Sequence, residues 1–168
     1  LGLLWERTLC FGEVQRLVER FAAGLQDLGV QKGDHVIIHL PNCPQFVIAY
    51  YAVLSIGAIA VPDNPEYVAR ELSYQINNAG AETVITLSLT YPTVRSIRAQ
   101  TPLKRVIFTN VKSYFPWPLK VLFTLFKEKK DGHRQALSGD EETHWFYEVM
   151  RRAPDHPQPV EIDMDDTA

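Results

Sequence analysis

His35 and His39 stand four residues apart in "HVIIH". In a strand, the period of two puts both on one face, where they could act as metal ligands or as an acid–base pair. The competing reading is a strand face partly exposed at the end of a sheet. No Cys and no second pair of carboxylates is spaced to join them. Asp63 and Asn64, in "VPDNPEY", follow a short apolar run. If that run is a parallel strand, they lie just past its carboxyl end, where open α/β sheets take ligands. The alternative, preferred here, is a turn stiffened by Pro62 and Pro65 that feeds the next helix. Cys10 and Cys43 form neither a CxxC pair nor a zinc spacing, so reduced thiols are expected. No GxGxxG follows a strand and no GxxxxGKS/T occurs, so neither familiar phosphate cradle is present. No catalytic, cofactor-binding or metal-ligating residue is assigned.

Such side chains need a frame, and the chain alternates between two periodicities. Val14, Leu17, Val18, Phe21, Ala22, Leu25 and Leu28 recur at the i, i+3, i+4, i+7 spacing of an amphipathic helix. Gly29 supplies its left-handed stop and Val30 the apolar contact beyond. Before that helix a small hairpin is expected, Leu3–Trp5 with Thr8–Phe11. Short β-rich runs predict strands over 35–40, 58–62, 83–87 and 105–109. Helices are expected from near Asn42 to Ile56, over 68–78 and over 91–100. For the first of these three, Asn42 can cap, Pro44 fits the first turn and Gln45 completes a capping-box spacing. It is apolar nearly all round, which predicts burial on most sides. Strands alternating with helices specify an α/β fold, an open and mainly parallel sheet with helices on both faces and right-handed crossovers.

Composition narrows the class. With 46% hydrophobic and 22% charged residues the 168-residue chain reads as globular. A net charge of -3 gives no reason to expect nucleic acid. The longest apolar run, 46–62, is interrupted by Ser55 and Gly57 and is shorter than the roughly 20 residues a membrane-spanning helix needs. The pattern divides the chain into an α/β subdomain over 1–110, an amphipathic insertion and helix of the same domain over 111–152, and a connector over 153–168. In the connector Val160, Glu161 and Ile162 alternate like a strand, and Asp163, Asp165 and Asp166 read as a turn.

"PWPLKVLFTLFKEKK", residues 116–130, is not required by the α/β pattern. At 100° per residue Leu119, Val121, Leu122, Phe123, Leu125 and Phe126 fall on an arc of roughly 200°. Lys120, Thr124, Lys127 and Glu128 lie opposite, and Lys129 and Lys130 intrude at the end. An aromatic and aliphatic face beside lysines is the composition of a helix lying in a membrane interface. Each lysine near an anionic surface would add about 1 kcal/mol. The contact residues on that reading are Trp117, Leu119, Leu122, Phe123, Phe126, Lys127 and Lys130. The alternative is a surface helix packed on the rest of the domain. A salt-sensitive shift of Trp117 fluorescence on anionic vesicles, with Trp5 and Trp145 replaced by Phe, separates the two; no shift at low salt leaves the packed helix.

"LGVQKGDHVIIHLPNCPQFVIAYYAVLSIGAIAVPDNPEYVARELSYQINNAGAETVI" resembles the amino-terminal part of the adenylate-forming acyl-CoA synthetases. The likeness includes the Gly-Val-x-x-Gly-Asp turn, Leu-Pro-Asn, the Gly-Ala strand, and Pro62, Asn64, Pro65, Tyr67, Glu71 and Leu72. "TYPTVRSIRAQTPLKRVIFTNVKSYFP" and "GHRQALSGDEETHWF" look most similar to the long-chain fatty acyl branch. The resemblance implies part of the large amino-terminal domain of such an enzyme. It implies ligation of a fatty acid to coenzyme A with ATP and Mg²⁺, through an acyl-adenylate. The implied partners are a fatty acid and the rest of the same polypeptide, with room for a homodimer. The implied location is the cytoplasm, with contact to the inner membrane face. In the family an aspartate pair such as Asp165-Asp166 leads into a strand and then a Ser/Thr/Gly-rich loop ending in a lysine, which holds the ATP phosphates. The chain is therefore expected to be an amino-terminal piece that stops before that loop, a scaffold inactive by itself and without a cofactor of its own. Two alternatives stay open: another acyl- or aryl-CoA ligase of the superfamily, and a non-catalytic flavodoxin-like binding module.

Overall fold

A computed structural model of the chain describes residues 9–110, 143–163 and 165–167. Its first element, α1 (Phe11–Asp27), begins inside the expected hairpin. Leu9 and Cys10 are irregular and Phe11 is helical, so the second hairpin strand does not form; residues 1–8, with its other half, lie outside the described residues. The Glu13 carboxylate accepts the Cys10 backbone N–H at 3.0 Å, which favours a helix start over a strand by satisfying one donor at the helix entrance. Phe21, Ala22 and Leu25 are fully buried on the inner face. Gly29, at φ 83, ends the helix. Its N–H bonds Gln26 O at 2.8 Å and the Val30 N–H bonds Leu25 O at 3.0 Å, the paired bonds of a Schellman ending.

The chain continues through β1 (His35–His39), α2 (Pro44–Ser55), β2 (Ile59–Pro62), α3 (Ala69–Ala79) and β3 (Thr83–Leu87). A short 3-10 turn, Ser88–Thr90, leads to α4 (Tyr91–Ile97), followed by β4 (Arg105–Thr109), β5 (Thr143–Trp145) and α5 (Phe146–Arg152). The five strands form one sheet in the order β2-β1-β3-β4-β5, and every pair is parallel. The expected strands and helices appear within a few residues of their predicted limits. β5 had no sequence signal: three residues show no alternation, and pairing with Val106–Phe108 of β4 makes them a strand.

Period-two alternation splits the core in two. Val36, Ile38, Ile85 and Ile107 face α1, α2 and α5 in one cluster. Ile37, Val84, Val106 and Phe108 face α3 and α4 in the other. α1 and α5 meet closely: the Phe21 and Phe146 rings stack at 3.9 Å and 22°. One turn further along α1, a Cβ on Gly24 would stand 2.4 Å from Val149 Cγ1 and 3.0 Å from Val149 O. Glycine there lets backbone approach backbone.

Two expectations need correction. Asn42 does not cap α2; Cys43 occupies that position, and the Gln45 side chain turns inward to give Asn110 O a hydrogen bond at 3.1 Å instead of completing a capping box. The core supplied a better partner than the helix end. α2 is covered on most sides, as its composition predicts: Phe46, Tyr50 and Leu54 pack partly against the core beside the buried Ile48, Ala49, Ala52 and Val53, and the exposed positions are one stripe of Val47, Tyr51 and Ser55. Val160–Ile162 is not a strand; the Lys32 side chain, from the turn after α1, takes the Glu161 carbonyl instead. The turn expected at the aspartates does form, with the Asp166 N–H on Asp163 O at 3.2 Å.

Candidate functional site

In an order of this kind the chain reverses direction between β1 and β3, and the carboxyl ends of the strands are where such sheets take ligands. Four loops meet at that edge. After β1 come Leu40, Pro41 and Asn42; after β2, Asp63 to Pro65; after β3, Ser88 to Thr90; after β4, Asn110. A shallow cleft of about 460 Å³ opens among Pro41, Asn42, Phe46, Pro62 and the Asp63–Glu66 turn.

The parallel ladder extends one bond past β2, with the Asp63 N–H on Ile38 O at 3.1 Å. This sets Asp63 beside His39. Their side chains meet at 3.3 Å, Nδ1 to Oδ2, and are 0% and 3% exposed. The Asp63 backbone faces outward while its carboxyl is buried. The other carboxylate oxygen accepts the Asn64 N–H at 2.7 Å. Asn64 Oδ1 takes the Glu66 N–H at 3.0 Å, and Asn64 O takes the Tyr67 N–H at 3.0 Å. Asp63-Asn64 is therefore a turn, as preferred from the sequence, and its carboxylate also clamps a histidine. That pairing was missed. The available signal was the βαβ spacing itself, which puts residues just beyond two neighbouring parallel strands side by side.

Behind His39, its carbonyl accepts the Thr86 hydroxyl at 3.3 Å. With that proton used, the Thr86 oxygen can still accept from the Thr90 hydroxyl beside it, whose other acceptor within reach is Leu87 O at 2.8 Å; the single Thr90 proton serves one of the two at a time. Buried polar atoms without a protein partner gather at this edge: His39 Nε2, Gln45 Oε1, Ser88 Oγ and Thr109 Oγ1. A carboxylate on Nδ1 with Nε2 left free is the arrangement that orients an imidazole for proton transfer or metal binding. Here the ring is fully buried, and the contact holds the loop after β2 on the sheet. His35 sits at the other end of β1, outside this cluster. Among the described residues no group of three or more His, Cys, Asp or Glu gathers to hold a metal ion.

Cys43 opens α2 from a buried position and Cys10 is exposed. Burial pushes the Cys43 thiol up from its ordinary value, outweighing the opposing pull of the Phe46 and Gln45 backbone N–H groups. Since the thiolate is the reactive form, a disulfide reagent at pH 8 is expected to modify Cys10 rapidly in the native protein and Cys43 only after denaturation. Two fast native thiols would show that α2 opens readily at its first turn.

Trp117, Leu119, Leu122, Phe123, Phe126, Lys127 and Lys130 lie outside the described residues. Among those described, no helix is long and apolar enough to cross a membrane.

Comparison with known proteins places this geometry. A family model described as "AMP-binding enzyme" matches residues 4–168. The long-chain-fatty-acid–CoA ligase of Bacillus subtilis is 40% identical over 124 residues, covering 74% of this chain and 22% of that protein. The crotonobetaine/carnitine–CoA ligase of Salmonella arizonae is 35% identical over 107 residues, covering 58% of this chain and 21% of that protein. Among solved structures, a long-chain-fatty-acid-CoA ligase from Archaeoglobus fulgidus superposes with a TM-score of 0.70 at 23% identity, over 96% of this chain and 27% of that one. That likeness speaks for the fold. The chain spans about a fifth of the length of these curated relatives.

Proposed function

Because the chain belongs to the AMP-binding enzyme family, we propose that the whole protein is an AMP-forming ligase joining a long-chain fatty acid to coenzyme A. The observation that carries the substrate class is the 40% identity over 124 residues to a ligase of that name, set against 35% over 107 residues to one named for crotonobetaine and carnitine. The strand order alone does not decide it, since a flavodoxin-like module shares that order.

In the proposed reaction the fatty acid carboxylate attacks the α-phosphorus of ATP, forming a mixed anhydride and releasing pyrophosphate. The thiol of coenzyme A then attacks the acyl carbon and AMP leaves. Carboxylate oxygen is a poor leaving group and AMP a good one, so one hard acyl transfer becomes two easier steps. We assign the described residues no part in holding Mg²⁺. Their part is to frame the domain: a rigid parallel sheet with a clamped loop at its carboxyl edge.

The test is an assay of the whole protein with ATP, Mg²⁺ and coenzyme A, scoring AMP and thioester for palmitate against crotonobetaine. Palmitoyl thioester formed with one AMP each is expected. Release of ADP, or a higher kcat/KM for crotonobetaine, would overturn the proposed substrate class or reaction.

A further inference from the structure

After α5 the described chain buries Ala153, leaves Pro157 and Val160 half-buried, and exposes the rest. Its hold on the body is polar. Asp155 meets Arg20 at 3.3 Å and His156 meets Glu19 at 3.0 Å. The Gln26 amide, on α1, clamps the Gln158 backbone from both sides: Oε1 accepts its N–H at 2.7 Å and Nε2 donates to its carbonyl at 3.1 Å. Lys32 Nζ then donates to Glu161 O at 2.8 Å and meets the Asp166 carboxylate at 2.6 Å.

The Lys32 contact differs from the others because both sides are pre-formed. Its stem lies over Gly57, where a Cβ would come within 2.9 Å of Lys32 Cγ. The turn that carries it is stitched to that same loop by the Gly33 N–H on Gly57 O at 2.9 Å. Opposite, Asp166 belongs to a closed turn, its carboxylate accepting the Asp163 N–H at 2.7 Å while Asp163 Oδ1 accepts the Asp165 N–H at 3.2 Å. The Lys32 ammonium, ahead of that Asp163 N–H, holds the Asp166 carboxyl below the usual carboxylate range. Arg20–Asp155, Glu19–His156 and Lys32–Asp166 are all solvent-facing pairs of the kind that contributes little singly; what also sets Lys32 apart is its second bond, to Glu161 O.

We propose that residues 155–163 and 165–166 form a strap that docks on α1 and the turn after it and leaves them as one unit, with Lys32 as its anchor. A segment with few buried apolar contacts and exposed backbone bonds opens locally, without global unfolding. Here one cation takes both a backbone carbonyl and the carboxylate that closes the aspartate turn. Removing it undoes the far end of the strap, and the Gln26 clamp alone then holds the middle.

Amide hydrogen exchange in the protein tests this at Gln158, Asp163 and Asp166. Lys32→Met is expected to speed exchange at all three about two- to fivefold, the effect of losing a solvent-screened charged contact, and to leave Val84 and Ile107 unchanged. Gln26→Ala, which removes neither Lys32 nor either aspartate, should speed Asp163 and Asp166 as well, because a detached strap leaves their turn without support from the body. Salt at about 1 M should move the wild type part of the way toward Lys32→Met and have little effect on that variant, because the lost contact is the screened one. Lys32→Arg should keep the salt response. A response confined to Asp163 and Asp166 would show separate contacts and no strap. Unchanged exchange in Lys32→Met would remove Lys32 as the anchor. Faster exchange at Val84 and Ile107 would make Lys32 a support of the whole fold and overturn the proposal.

Discussion

Replacing Phe146 with alanine is expected to destabilise the protein by about 3–5 kcal/mol, the range for deleting a buried aromatic ring. Phe146 is fully buried and stacked on Phe21, so both rings lose their partner surface. The cost should sit at the upper end of that range because the site cannot collapse. α1 and α5 already touch at Gly24 and Val149, where a single added Cβ would meet a backbone oxygen at 3.0 Å. The helices have no room to move together and fill the void. Phe146→Leu, which keeps most of the volume, should cost less than half as much. Urea unfolding of both variants checks this through the midpoint at unchanged m-value. A Phe146→Ala midpoint within experimental error of the wild type would mean that the α1–α5 contact is not part of the cooperative fold.

The second large effect is expected at His39. His39→Leu leaves the Asp63 carboxyl, 3% exposed, against an apolar wall with only the Asn64 N–H beside it. Breaking a buried pair from one side typically costs about 3–5 kcal/mol, because the remaining group keeps its desolvation penalty. Asp63→Asn should cost about 1 kcal/mol, since the amide still offers an oxygen to the Asn64 N–H. The double variant His39→Leu with Asp63→Asn is expected to be more stable than His39→Leu alone, a coupling that a double-mutant cycle measures directly. Additive losses would show that the two side chains do not act on each other, and the clamp on the loop after β2 would have to be abandoned.

Both effects arise from contacts between residues far apart in the chain, and that marks the boundary of what could be read beforehand. Periodicity is local, so α1 was legible from seven apolar positions and its ending from Gly29 and Val30. The four strands over 35–109 were legible as short β-rich runs between turns. Their alternation with helices implied a parallel sheet, because a crossover returning through a helix brings the next strand back in the same direction. The family, too, was legible in the linear order of "LPN" and "VPDNPEY" with the helix that follows. Even the turn reading of Asp63-Asn64 rested on neighbours, Pro62 and Pro65.

What the tertiary structure decided depends on register and packing. His39 was visible as one of two histidines on a strand face, but its partner is 24 residues away and became adjacent only when β1 and β2 aligned. Gln45 had the spacing of a capping residue and turned inward because β4 ends at an acceptor, Asn110 O, that no local pattern reveals. β5 exists because β4 offers it an open edge. Val160–Ile162 alternates like a strand yet has no strand beside it among the described residues; Gln26 and Lys32 bond the Gln158 and Glu161 backbone instead. A strand is a property of two chains side by side, whereas a helix satisfies its own backbone. Helices and their ends could therefore be read in sequence, and the edges, clamps and strap could not.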